Sequence, residues 1–106
     1  MAKFEIVNPN TNAIFYVTEG SNIYKAQKLI RVFLEHENKT IQSIRISGDF
    51  FIHPEESLEK LESDLAGTKL EKKSLVDAIT KSLENAEVFG FDYDSMADAV
   101  LGCLNK

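Results

Sequence analysis

An α+β fold, with an antiparallel sheet first and helices packed on one of its faces, is what this chain predicts. Three observations carry that reading. The first half holds short runs that alternate apolar and polar residues, as half-buried strands do. After Pro54 the apolar spacing changes to a helical one, with Leu58, Leu61 and Leu65 on a single stripe. Strands and helices are segregated along the chain rather than interleaved, which points to helices covering one face of an antiparallel sheet.

Taken in order, Lys3-Phe4-Glu5-Ile6-Val7 alternates and ends at Asn8-Pro9-Asn10-Thr11-Asn12, a cluster of turn-forming residues. Ala13 to Thr18 is β-branched and aromatic, so the two runs are expected to form a hairpin. Glu19-Gly20-Ser21-Asn22 reads as a second punctuation. Ile23 to Glu37 is open on pattern alone. Ile23, Gln27, Ile30 and Leu34 fit a helix, whereas Ile30, Val32 and Leu34 also alternate with Arg31, Phe33 and Glu35. Glu37-Asn38-Lys39 suits a tight turn, with Asn38 adapted to positive φ, and Thr40 to Ser47 is the return strand.

Within that strand Ile44 and Ile46 should face one side and Arg45 the other. Gly48 permits a bend. Phe50 and Phe51 cannot both face the same side of an extended segment. Pro54 is expected at the first helical position, with Glu55 and Glu56 complementing the helix dipole, and Gly67 should stop that helix. A second helix is expected from Glu71 to Asn85, with Leu75, Val76, Ile79 and Leu83 inward. Val88 to Tyr93 reads as an aromatic loop. Asp94 or Ser95 is expected to cap a last helix bearing Ala97, Val100, Leu101 and Leu104.

The 106 residues suit one domain, 1–106. A hydrophobic share of 43% with 27% charged residues is that of an ordinary globular protein. Met1-Ala2-Lys3 leads straight into the first alternating run, so no signal segment is expected, and no apolar run approaches the ~20 residues of a membrane span. The lone Cys103 excludes an internal disulfide, so a cytoplasmic location is expected. Charge is uneven. Up to His53 there are six Lys/Arg against five Asp/Glu, and from Pro54 six Lys against twelve Asp/Glu, which leaves +1 and −6 of the net −5. An acidic helical half argues against nucleic acid as partner.

Chemistry-bearing motifs are scarce. Cys103 lies on an apolar stripe, which favours a buried, inert thiol. His36 and His53 lack ligand-spaced partners; one reads as a strand residue near a turn, the other as a residue at the helix entrance. The five glycines make no phosphate loop. Two groups are left. Lys25, Lys28 and Arg31 are the densest basic set, suited to a phosphate or an acidic partner, or else to guarding an edge strand. Phe50, Phe51, Phe89, Phe91 and Tyr93 are core by default and a partner-binding patch where exposed.

The ordered series Leu29-Ile30-Arg31-Val32, a short hairpin, Ile44-Arg45-Ile46, Gly48-Asp49-Phe50-Phe51, then Leu58, Leu61, Leu65 and Gly67 resembles the small C-terminal accessory domain of lipoate–protein ligases. The resemblance spans Tyr24 to Leu104, and its most specific part is the Gly-Asp-Phe-Phe corner. It favours a strand from Lys28 to Glu37, hence about four strands in two hairpins followed by about three helices.

In that family a larger domain activates lipoate with ATP to lipoyl-AMP and passes the lipoyl group to a lysine of a carrier domain. Nothing here matches the signature of that larger domain. The resemblance therefore implies a separate small subunit, paired as a heterodimer with a catalytic chain, contributing no catalytic residue and binding no cofactor. ATP, Mg and lipoate are expected on the partner, and lipoyl-carrier domains are met indirectly. The implied partner interface comprises Gly48, Asp49, Phe50 and Phe51 with Lys25, Lys28 and Arg31. The competing readings are a sulfur-transfer or iron–sulfur scaffold, which needs an exposed reactive cysteine, and a plain interaction module.

Overall fold

A computed structural model of the chain describes the backbone of residues 3–7 and 14–105 and the side chains from 17 to 104. Four antiparallel strands form a meander: β1 (Lys3–Val7), β2 (Ile14–Lys25), β3 (Leu29–Glu37) and β4 (Thr40–Gly48), neighbours in that order. The first hairpin pairs Lys3 with Thr18 through to Val7 with Ile14; its expected turn residues lie outside the described ones. The second turns at Asn38 and Lys39, both at positive φ (50° and 64°), the geometry that matches strand twist in a two-residue loop.

The sequence expectation for Glu19 to Asn22 is corrected: β2 runs through it to Lys25, and Thr18–Lys25 pairs with Leu29–His36. Gly20 is there because there is no room for anything else. A Cβ at Gly20 would lie 2.5 Å from the Cys103 carbonyl oxygen and 3.1 Å from the Cys103 Cβ. This glycine marks a close approach within a strand, not a turn.

Alternation aims Ile30, Val32, Leu34, Ile44 and Ile46 at the helices, where all are buried. Three helices cover that face: α1 (Glu56–Leu65), α2 (Lys72–Ser82) and α3 (Tyr93–Leu101), the last continued by a 3₁₀ turn, Gly102–Asn105. Leu61, Leu65, Leu75, Ile79, Leu83, Met96 and Val100 are fully buried against the sheet, and Leu58, Val76, Leu101 and Leu104 pack at the margin. Cys103 is fully buried as well, its Sγ 3.9 Å from the carbonyl oxygens of Val32 and Ala99.

Helix ends differ from expectation in three places. The first helix begins at Glu56, because Pro54 sits in a turn ahead of it that Ser57 N closes onto the Pro54 carbonyl, following a cis His53–Pro54 bond. The second ends at Ser82 rather than Asn85. The third is capped by Asp92, not by Asp94 or Ser95. Its carboxylate accepts from Ser95 N at 2.7 Å, and that bond holds the Asp92 carboxyl below its usual pKa. The expected aromatic loop, Val88 to Tyr93, overlaps a strand, β6 (Glu87–Phe89), which pairs with β5 (Phe51–His53) in a separate two-stranded ribbon, and its last residue, Tyr93, already begins α3.

Asn22 ties the sheet to the last helix. It is buried, and its Nδ2 donates to the Ala99 carbonyl at 3.0 Å. Asn22→Ala leaves that buried carbonyl short of a donor and should cost about 1–3 kcal/mol, read as a lower urea midpoint at unchanged slope.

His36 is buried on the helix side of β3, and neither ring nitrogen has a hydrogen-bond partner among the described residues. Burial, with Lys39 adding repulsion, lowers its pKa below the ordinary 6.5. The unfolded chain therefore takes up this proton at a higher pH than the folded one. The stability contributed by the neutral ring is complete above 6.5 and is lost as pH falls from there toward the lowered folded value. Unfolding free energy should accordingly fall as the pH drops through 6.5, and His36→Leu should flatten that part of the curve.

Candidate partner-docking site

Three segments meet at one end of the sheet. At the close of β4, Gly48 adopts φ 154°, and Asp49 N donates to the Leu29 carbonyl at 3.0 Å. The turn between β2 and β3 is tied to the ribbon by Lys28 N, which donates to the Gly90 carbonyl at 2.9 Å. The Leu29 carbonyl lies where any side chain at Gly48 would have to go, so the corner closes only around a residue without a Cβ.

From that corner the two phenylalanines part, as extended geometry requires. Phe50 turns inward, its ring edge-on to Phe91 with centroids 5.1 Å apart at 90°, and Phe91 is only 5% exposed. Phe51 turns outward and is 74% exposed. Directly across the ribbon from it stands Phe89, 57% exposed. Residues opposed in an antiparallel pair project to the same side with Cβ atoms ~5 Å apart, so these two rings form one bare aromatic patch. The ribbon's other side, through Ile52 and Val88, packs toward the helical layer. Beside the patch a hollow of about 480 Å³ is lined by Phe50, Phe51, Leu58, Glu55, Glu59 and Glu62.

The structure thus gathers Gly48, Asp49, Phe50, Phe51 and Lys28 at this corner. Lys25 flanks it at the end of β2, exposed and opposite Leu29. Arg31 stands apart from the corner. It projects from the uncovered face of the sheet, between Ile23 and Ser47. Phe89 lies outside the interface that the resemblance implies, but it belongs to the aromatic set expected to form a partner-binding patch where exposed, and its exposure places it there. No group of three or more His, Cys, Asp or Glu able to hold a metal occurs among the described residues, and no helix among them is long and apolar enough to cross a membrane.

Over 53 residues the chain is 49% identical to the lipoate-protein ligase A subunit 2 of Thermoplasma acidophilum. That match takes in 49% of this chain and 56% of the relative, so the chain spans a little over half the length of the curated protein it matches. Its structure superposes with a TM-score of 0.71 and 34% identity on a chain in the solved structure of an archaeal lipoylation system, a bi-partite lipoate protein ligase and its E2 lipoyl domain from Thermoplasma acidophilum. The superposition covers 79% of this chain and 96% of that one. Residues 29–100, from the strand that receives the corner to the helix that closes the core, match the model of the bacterial lipoate protein ligase C-terminus, and the chain belongs to that family.

Proposed function

We propose that this chain is the small subunit of a two-chain lipoate–protein ligase. It docks on a separate catalytic chain and supports that chain's ATP-dependent conversion of lipoate to lipoyl-AMP. The observation that carries the reading is the bare Phe51–Phe89 patch on the corner of a domain of this family. Exposed paired aromatics on an otherwise well-packed ribbon suit a surface that is covered in the working complex. The similarity to a ligase's second subunit, and to a chain in the structure of a bi-partite ligase, supports the same assignment.

In this reading ATP, Mg and lipoate are held by the catalytic chain, and this subunit supplies neither nucleophile nor nucleotide site. Its contribution is positional. Adenylation builds charge on phosphates, and that charge is stabilised best by preorganised groups in a site closed to water. A rigid domain seated at the rim can hold such a site closed without a reactive group of its own. Its stiff core and the Gly48 corner would present the Phe51–Phe89 patch in one fixed orientation.

The test is pyrophosphate release from ATP and lipoate by the cognate catalytic chain, with and without this subunit. The subunit alone should release none, and adding it should raise the rate of the catalytic chain. An unchanged rate, or turnover by the subunit alone, overturns the proposal.

A further inference from the structure

The sheet has a second side. Opposite the helices, β2, β3 and β4 present three rows of side chains: Ile23–Arg31–Ser47, Ser21–Phe33–Arg45 and Glu19–Glu35–Ser43. Among the described residues no element covers the first two rows, where Ile23 is 68% and Phe33 42% exposed. A trough of about 460 Å³ runs over them, lined by Ser21, Ile23, Arg31, Phe33, Arg45 and Ser47. Neither Arg31 nor Arg45 belongs to an ion pair among the described residues; the salt bridges, Lys60–Asp64 and Lys72–Asp98, involve helical residues. In a chain of net charge −5, these rows join two cations to two bare apolar side chains.

Several occupants can be weighed from this pattern. A second copy stacked about a two-fold axis along the strands would set Arg31 on Arg31. One stacked about an axis across the strands at the Phe33 row would set Arg31 against Glu35 of the second copy but Arg45 on Arg45. Each arrangement places a like-charge contact on the symmetry axis of an isologous interface. Nucleic acid needs a longer basic track, and here the adjoining row carries Glu19 and Glu35. An added strand would pair along a sheet edge rather than cover this face, and the β4 edge is tied at Ile41 by Thr68 and Gly67 and at Ile46 N by the Glu62 carboxylate, 2.8 Å away. The pattern fits a protein surface that sets carboxylates around an apolar group.

The size of the corner patch supplies the link. A stable interface buries about 800 Å² on each partner, and two aromatic side chains bury at most ~500 Å² between them. The contact must extend beyond Phe51 and Phe89. The open face adjoins the corner through Leu29, whose carbonyl holds Asp49 and which stands two residues from Arg31.

We infer that this open sheet face is a second docking surface for the catalytic chain, which meets Arg31 and Arg45 with carboxylates and seats an apolar group against Phe33 and Ile23. The inference rests on the function proposed above. Long-range attraction by the arginines steers the encounter, and the aromatic corner holds the complex once formed.

The experiment measures association and dissociation rates with the cognate catalytic chain across a salt series for the wild-type chain, R31E/R45E and Phe51→Ala. R31E/R45E should bind about 10- to 100-fold more weakly at low salt, chiefly through slower association, with a flattened salt dependence. Phe51→Ala should weaken binding through faster dissociation and keep the wild-type salt dependence. Both sites are exposed, so both variants should melt close to the wild-type temperature. If R31E/R45E binds with wild-type rates and salt dependence while Phe51→Ala is weakened, the open face is not a docking surface and the proposed function stands. If the wild-type chain does not bind the catalytic chain at all, the proposed function falls and the inference falls with it. Self-association of the wild-type chain in sedimentation, abolished by R31E/R45E, would assign the face to a second copy and overturn the inference.

Discussion

Gly48→Ala should destabilise this protein by about 3–5 kcal/mol and lower its melting temperature by more than about 10 °C. Two effects add. The backbone at 48 has φ 154°, and an added methyl would collide with the carbonyl of Leu29. That carbonyl cannot simply move aside, because it accepts the hydrogen bond from Asp49 N that closes the corner. Relief requires either breaking this bond or displacing the end of β3 and with it Ile30, which is fully buried. Thermal melts of the purified variant measure the loss. A shift under about 3 °C would show that the corner relaxes cheaply and does not hold the ribbon in place.

Removing both exposed rings, Phe51→Ala with Phe89→Ala, should do the reverse. Exposed side chains carry little of the folding free energy, so the double variant should melt within about 2 °C of the wild type. Binding to the cognate catalytic chain should weaken by about 100-fold or more, as when two paired aromatic anchors are truncated at an interface centre. Phe91→Ala is the internal contrast. Phe91 is buried against Phe50, and its truncation should cost about 3–5 kcal/mol. A double variant that melts as poorly as Phe91→Ala would place the two rings in the core and remove the corner from the proposed interface. Calorimetric melts and a binding isotherm on the same preparations make the comparison.

Some of this molecule can be read residue by residue. Ile30, Val32, Leu34, Ile44 and Ile46 face the core because a pleated strand alternates. The opposite aims of Phe50 and Phe51 follow from the same rule. Asn38 announces its turn, and Leu61 with Leu65 announces the buried stripe of α1. Other features were misread because their causes lie far along the chain. Gly20 and Ser21 look like a turn until the 3₁₀ segment holding Cys103 presses against Gly20. Asn22 looks like turn chemistry until Ala99, 77 residues away, accepts its amide. Glu87-Val88-Phe89 is too short to register as a strand until β5 lies beside it.

The candidate site divides in the same way. Alternation and turn chemistry act over a few bonds, so the residues alone specify the paired strands β1 and the start of β2, the return strand β4, the three amphipathic helices and the outward aim of one phenylalanine at the corner, whereas β3 is open on pattern and follows from the family resemblance. Exposure is a property of what packs where. That Phe89 stands beside Phe51, and that Arg31 joins Arg45 rather than Lys28, are settled when segments distant in the chain come together. Cross-strand register and contacts between distant segments belong to the assembled layers, and no local pattern encodes them.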